Sequence, residues 1–243
     1  MPEFYEMIDG GEGNVYHFLF YMLSNFLISK DISGDIVYYY PNKTNCPVSE
    51  GFLGLLPKNF TRHLVKDPSV NYTTFMNAIP CFKDYALPES YQLLRQLYKP
   101  YLSVTLTPGK KLYIQRKNTK DRMFINETDV QKSLEKLGYQ TVSLEDYTIK
   151  EQIRMISESE YIVGAHGAGL ALTVFCHPSA KVLEIYGAKN SERRHYYHIA
   201  HSLKHRFMRF QDVLVSNTEF QHMIVNVAKL EEILQEWHHP RLF

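Results

Sequence analysis

Glu160-Tyr-Ile-Val-Gly-Ala-His-Gly-Ala-Gly-Leu170 is the stretch of this chain best suited to hold a ligand. Ala171-Leu-Thr-Val-Phe-Cys-His-Pro178 follows it, and then Lys181-Val-Leu-Glu-Ile-Tyr186. The pattern predicts a short buried strand, a glycine-rich turn, a helix stopped by Pro178, and a second strand. Gly164, Gly167 and Gly169 clear side chains from a point where the chain turns sharply and a ligand can approach the backbone. A helix opening there aims unpaired N–H groups and partial positive charge outward, and phosphate is their natural occupant. The turn residues at issue are His166, Gly167, Ala168, Gly169 and Leu170. His166 also brings a ring that can bond phosphate or sugar. Glu184 stands near the end of the next strand, where an acid in a nucleotide-binding α/β domain accepts hydrogen bonds from ribose hydroxyls. A bare glycine turn can be a junction without a ligand; the turn, the helix start and the spaced acid together favour one.

A second stretch, Leu112-Tyr-Ile-Gln-Arg-Lys-Asn-Thr-Lys-Asp-Arg-Met-Phe-Ile-Asn-Glu127, supplies cations. Arg116 and Lys117 leave the end of a predicted strand, and Arg122 follows across a polar loop. In parallel α/β sheets ligands bind beyond the carboxyl ends of the strands, so this strand end and the glycine turn should share one crevice. Two arginines make bidentate contacts with phosphate and can neutralise a diphosphate without a metal ion.

The elements that must position these groups change in character along the chain. Before residue 105 the signals are mixed. Asn14 to Lys30 predicts a buried helix with Asn14 at its cap, Asp35 to Tyr40 a strand, and Pro88 to Tyr98 a helix with Pro in its first turn. Leu106-Thr-Pro-Gly109 reads as a linker. Beyond it strands and helices alternate: strands at 112–115, 141–143, 161–163 and 182–185, and helices at 127–137, 149–157, 196–203 and 229–237. Repeated βα units imply a parallel sheet covered on both faces. The expected domains are therefore 1–105 and 106–243, with the last helix free to pack back on the first.

Composition narrows the function further. The formal charge of +1 gives no global attraction to nucleic acid or to an anionic membrane, so any anion site is local. Cys46, Cys81 and Cys176 show no metal-type spacing. A Cys46–Cys81 disulfide is open, with reduced thiols as the default. The apolar run Val15 to Ile28 is too short to cross a bilayer, and the first residues are acidic without an apolar core. The expectation is a soluble chain of the cytoplasm, or of the secretory lumen if it is a piece of something longer. On the cytoplasmic reading the Asn-x-Ser/Thr sequons at Asn42, Asn59, Asn71 and Asn126 are coincidence.

Taken together, Arg116, Arg122-x-x-x-Asn126-Glu127, Glu151-Gln152-Ile153, Ile-Val-Gly-Ala-His-Gly-Ala-Gly-Leu170 and Pro178-x-x-x-Val-Leu-Glu-Ile185 resemble glycosyltransferase family 61. Upstream, Asn14-Val-Tyr-His17 is similar to that family's Asn-x-x-His pattern. The resemblance implies a GT-B architecture, two Rossmann-like domains facing across a cleft, with the carboxy-terminal one holding a UDP-sugar. It also implies metal-independent transfer with inversion, from UDP-xylose or UDP-N-acetylglucosamine to a glycan or protein hydroxyl. No cofactor is expected, and no Asp-x-Asp occurs anywhere. On this reading Arg116, Arg122 and the turn from His166 to Leu170 hold the diphosphate, Glu184 the ribose, and the segment from Ser143 to Asp146 borders the base.

Inversion requires a base for the acceptor hydroxyl. His17 is the candidate, with Glu12 and Asp9 as alternatives; Tyr21 stands where the family often has an acid. His195, His198, His201 and His205 have helical spacing that invites a metal, but Arg193, Arg194, Lys204 and Arg206 crowd the same segment and oppose a cation. Two rival readings remain. A dinucleotide-dependent oxidoreductase or epimerase expects G-x-G-x-x-G after its first strand, and here the spacing is G-x-x-G-x-G after a late one. An inactive sugar-nucleotide or glycan-binding module fits the Tyr21 departure.

Overall fold

The computed structural model describes residues 3–6, 14–24, 36–39, 47–56, 64–65, 88–117, 122–187, 193–216 and 221–238. Asp9, Glu12, Cys46, Cys81 and the sequons at Asn42, Asn59 and Asn71 lie outside them. The chain divides into two compact units, Met1–Leu102 with Thr148–Lys150, and Ser103–Tyr147 with Glu151–Phe243.

In the first unit, β1 (Glu3–Glu6), β2 (Ile36–Tyr39) and β3 (Leu64–Val65) form a parallel sheet in that order. Helix α1 (Val15–His17) begins at Asn14, whose side chain accepts from the amides of Tyr16 and His17. That is the predicted cap. Beyond His17 the helix widens into a π-helical stretch, Phe18–Leu23, where a single α-helix was expected. An aromatic core links it to α2 (Pro47–Gly54) and α3 (Pro88–Leu97). Phe18 stacks on Phe52 at 5.8 Å, Phe20 meets Tyr91 edge-on at 5.3 Å, and the Tyr98 hydroxyl donates to the Phe52 carbonyl at 3.1 Å.

The second unit is built on a five-stranded, all-parallel sheet. Its strands are β4 (Thr107–Ile114), β5 (Tyr139–Val142), β6 (Ser159–Ala165), β7 (Lys181–Ile185) and β8 (Arg206–Phe210). Their order across the sheet is β5-β4-β6-β7-β8. The chain winds outward from β4 to β5, then crosses back over β4 to build the other side. This reversal makes a topological switch point between the carboxyl ends of β4 and β6, where sheets of this kind bind ligands. Helices α4 (Glu127–Lys136), α5 (Ile149–Glu158), α6 (His195–Leu203) and α7 (Val227–His238) complete the α/β alternation. One sheet face packs Tyr113, Val163, Leu183, Ile185 and Phe210 against Val130 and Leu134 of α4 and Leu230, Leu234 and Trp237 of α7. The last helix thus belongs to this unit.

Three local expectations are corrected. Thr107 to Gly109 of the expected Leu106–Gly109 linker instead open β4. Gly109 takes φ +76° beside a register shift, and its amide donates to the Glu160 carboxylate at 2.8 Å. The segment after the glycine turn is a 3-10 helix, Ala168–Phe175. Strand β8 and the antiparallel pair β9 (Val213–Val215) and β10 (Met223–Val225) occupy segments with no predicted strand.

Asn126 ties that last pair to the start of α4. Its amide donates to the Val225 carbonyl at 2.9 Å and its oxygen accepts from the Val225 amide at 3.0 Å. The Ile125 amide donates to the Met223 carbonyl at 2.7 Å. The sequon asparagine is therefore a structural clasp. Asn126→Ala removes both bonds and should lower the urea-unfolding free energy by about 1–2 kcal/mol.

Candidate functional site

At the carboxyl ends of β6, β7 and β8, beside the switch point, strand register decides what meets. Gly164, Glu184 and Arg209 are direct cross-strand neighbours on β6, β7 and β8, so they lie side by side on one sheet face. His166, two residues beyond Gly164, leaves β6 toward the same face.

Glu184 has no solvent exposure, and the protein satisfies both of its oxygens. Oε1 lies 2.5 Å from His166 Nδ1, and Oε2 accepts from Arg209 Nε at 2.8 Å. Arg209 is held twice more: its Nη2 donates to the Arg193 carbonyl at 2.5 Å, and its guanidinium lies 4.3 Å from the centre of the Tyr186 ring. The ribose role expected of Glu184 asks for an exposed carboxylate oxygen. The structure instead engages both oxygens inside the fold.

Arg116 reaches the turn from the end of β4, its Nη1 donating to the His166 carbonyl at 2.8 Å. This explains Gly167. Its φ of 174° is extended backbone open to any residue, but a Cβ there would sit 1.9 Å from Arg116 Nη1. The glycine makes room for a guanidinium, not for a turn. On its other side the Gly167 carbonyl accepts from the buried Tyr196 hydroxyl at 2.5 Å. Gly169 is tight for a similar reason, since a Cβ would lie 3.2 Å from Leu144 and 3.3 Å from Ile114.

The 3-10 helix opens at Ala168 and Gly169, whose N–H groups fall where a helix offers no internal partner. Leu170 differs from the expectation: its amide donates to the Gly167 carbonyl at 3.0 Å and its side chain is buried. Arg122 takes φ +54°, a left-handed conformation uncommon for a long side chain. Arg122 and Arg193 both lie close enough to press on the charge of His166, and Arg116 joins them around Tyr196. Arg116 touches the turn directly, and the charges of Arg122 and Arg193 reach its histidine. Ser143 precedes the 3-10 turn Leu144–Asp146 after β5, its carbonyl accepting from the Asp146 amide, and Lys117 donates to both Asp146 oxygens at 3.0 Å in an exposed pair.

His17 lies in the other unit, half-buried at the end of α1. Among the described residues, no three His, Cys, Asp or Glu side chains converge as metal ligands, and His195 to His205 are spread along α6 and its end. Arg209 and Tyr196 are the site residues that sequence reasoning missed. The apolar and aromatic content of Arg206-Phe-Met-Arg-Phe210 hints at a strand, but it is the strand register that puts Arg209 level with Glu184.

Residues 15–183, more than half of the chain, match the Glycosyltransferase 61 family. The human protein O-linked-mannose beta-1,4-N-acetylglucosaminyltransferase 2 is 31% identical over 81 residues, 32% of this chain and 14% of that protein. The beta-1,2-xylosyltransferase RCN11 of Oryza sativa subsp. japonica is 35% identical over 83 residues, 33% of this chain and 15% of that protein. Each match thus spans a small part of the relative. The chain belongs to the glycosyltransferase 61 family.

The histidines here also set a pH response. Burial, with help from His166 and Arg193, lowers His195 to about 4. Burial likewise lowers His166, against the opposing pull of Glu184. An unfolded histidine titrates near ~6.5. As pH falls from there toward 4 the unfolded chain takes up protons that the folded site refuses, so stability declines through that window. Histidine NMR titration should place His195 near 4, and His195→Asn should flatten the stability slope between ~6.5 and 4.

Proposed function

We propose that the chain is an inverting, metal-independent glycosyltransferase of GT-B arrangement that takes its sugar from a UDP-sugar. The observation that carries this reading is Arg116 seated on the His166 carbonyl at a topological switch point, with the charges of Arg122 and Arg193 reaching the same histidine. Preorganised guanidiniums and helix-start amides stabilise charge as it develops, and a departing diphosphate develops charge on its oxygens. They act at that place as a divalent cation would.

In the reaction, an acceptor hydroxyl oxygen bonds to the anomeric carbon from the face opposite UDP. The bond from that carbon to the β-phosphate oxygen breaks, and UDP leaves with the electron pair. The hydroxyl proton passes to a base, for which His17 is the candidate and Asp9 and Glu12 the alternatives. The donor sugar is xylose or N-acetylglucosamine, the sugars in the names of the two relatives, and the acceptor is a glycan or protein hydroxyl. Arg116, Arg122, and the amides of Ala168 and Gly169 hold the diphosphate; Ser143 borders the base.

Two substitutions separate binding from chemistry. Arg116→Ala should weaken UDP about tenfold or more in calorimetry, the scale of a charge-assisted bond; unchanged affinity argues against this site. His17→Ala should keep UDP affinity and lower transfer about a hundredfold or more. Near-normal turnover removes His17 as the base, and UDP binding with no turnover in the parent protein identifies a binding module.

A further inference from the structure

We infer that His166 presents an unprotonated Nε2 as acceptor for a hydroxyl of the nucleotide sugar, with Glu184 and Arg209 as the positioning residues that hold it so. This rests on the crevice being a nucleotide-sugar site, and it assigns the ring to the ligand's hydroxyls and not its phosphates.

The argument starts from which atom owns the proton between His166 Nδ1 and Glu184 Oε1, 2.5 Å apart. A neutral carboxylic acid could donate to the ring, and a carboxylate can only accept. Arg209 decides between them. Its Nε donates to the other Glu184 oxygen at 2.8 Å, and its anchors on the Arg193 carbonyl and the Tyr186 ring keep that cation in place. A guanidinium on one oxygen favours the ionised carboxylate, so the proton belongs to Nδ1.

The second ring nitrogen then follows. A proton on Nε2 would make an imidazolium beside Arg122 and Arg193 in a buried setting, and both influences oppose it. Glu184 opposes them in turn, but its charge is already shared with Arg209. The ring's neighbours are Tyr186, centred 4.9 Å away, Tyr196 at 5.2 Å and His195 at 6.2 Å. The Tyr196 hydroxyl is directed to the Gly167 carbonyl and does not supply a proton. His195, lowered to about 4, is neutral as well. A bare nitrogen lone pair repels phosphate oxygens and attracts O–H groups. The site therefore divides its work: guanidiniums and amides donate to the diphosphate, while one imidazole accepts from a hydroxyl.

The hydroxyl belongs to the ribose or to the transferred sugar, and wild-type protein distinguishes them. Nitrogen-15 histidine NMR at pH 7 should show His166 protonated at Nδ1 and bare at Nε2. Calorimetry with UDP, 2′-deoxy-UDP, 3′-deoxy-UDP, UDP-xylose and UDP-N-acetylglucosamine provides the second readout. A ribose hydroxyl is identified if one deoxy analogue binds about tenfold more weakly than UDP. A sugar hydroxyl is identified if a UDP-sugar binds about tenfold more tightly than UDP while both deoxy analogues match it. Arg209→Met should move His166 toward the imidazolium and erase that increment: in the ribose case UDP falls to the affinity of its weaker deoxy analogue, and in the sugar case the UDP-sugar falls to the affinity of UDP. An Nε2-bound proton or an imidazolium in the wild-type protein, or equal affinity across the ligand series, overturns the inference alone. No UDP binding at millimolar concentration overturns the site reading and the inference with it.

Discussion

A carboxylate with no contact with solvent sits at the end of β7, and the fold has to answer its charge. Glu184 is answered by a ring from β6 on one side and a guanidinium from β8 on the other. That arrangement requires three strands in one register, with Gly164 and Arg209 level with Glu184. A one-residue slip of β8 would turn Arg209 to the opposite face and leave the buried charge half satisfied. The glycine turn depends on the same pairing, because His166 is anchored through its ring to Glu184 and through its carbonyl to Arg116. The mouth of the 3-10 helix is thereby fixed from two strand ends. The charge network thus holds the glycine turn in place.

Any anion site on this chain is local. A formal charge of +1 spread over 243 residues offers no long-range steering. Of four arginines that are remote in sequence, Arg116 bonds the turn, Arg209 is committed to Glu184, and the charges of Arg122 and Arg193 reach His166 and Tyr196.

Much of the site was legible in the sequence because its parts are local. The glycine spacing, the strand before it and the Arg116 strand end are each readable within about ten residues, and the sheet's parallel alternation follows from βα periodicity. Arg209 was hidden because its meaning is cross-strand, and its segment, Arg206-Phe-Met-Arg-Phe210, lacks the alternation of apolar and polar residues that marks a strand. Glu184 was read as a ligand contact from spacing alone, which does not reveal which side of a strand end is covered. Ala168–Phe175 was read as a plain helix because it is apolar on all sides, and without a polar face no periodicity separates a 3-10 turn from an α-helix. The start of β4 at 107–109 was taken for a linker because Pro and Gly there mask a strand that begins irregularly. In the first unit the closely spaced prolines left few long periodic windows, and its clearest signal was a single cap, Asn14.

The most direct measurement is a crystal structure of the protein with UDP, grown in the presence of a chelator. The account predicts the diphosphate against Arg116 and Arg122 and over the amides of Ala168 and Gly169, with a nucleotide or sugar hydroxyl at His166 Nε2. A diphosphate bound elsewhere on the chain, or one that enters this crevice only when a divalent cation is restored, contradicts it.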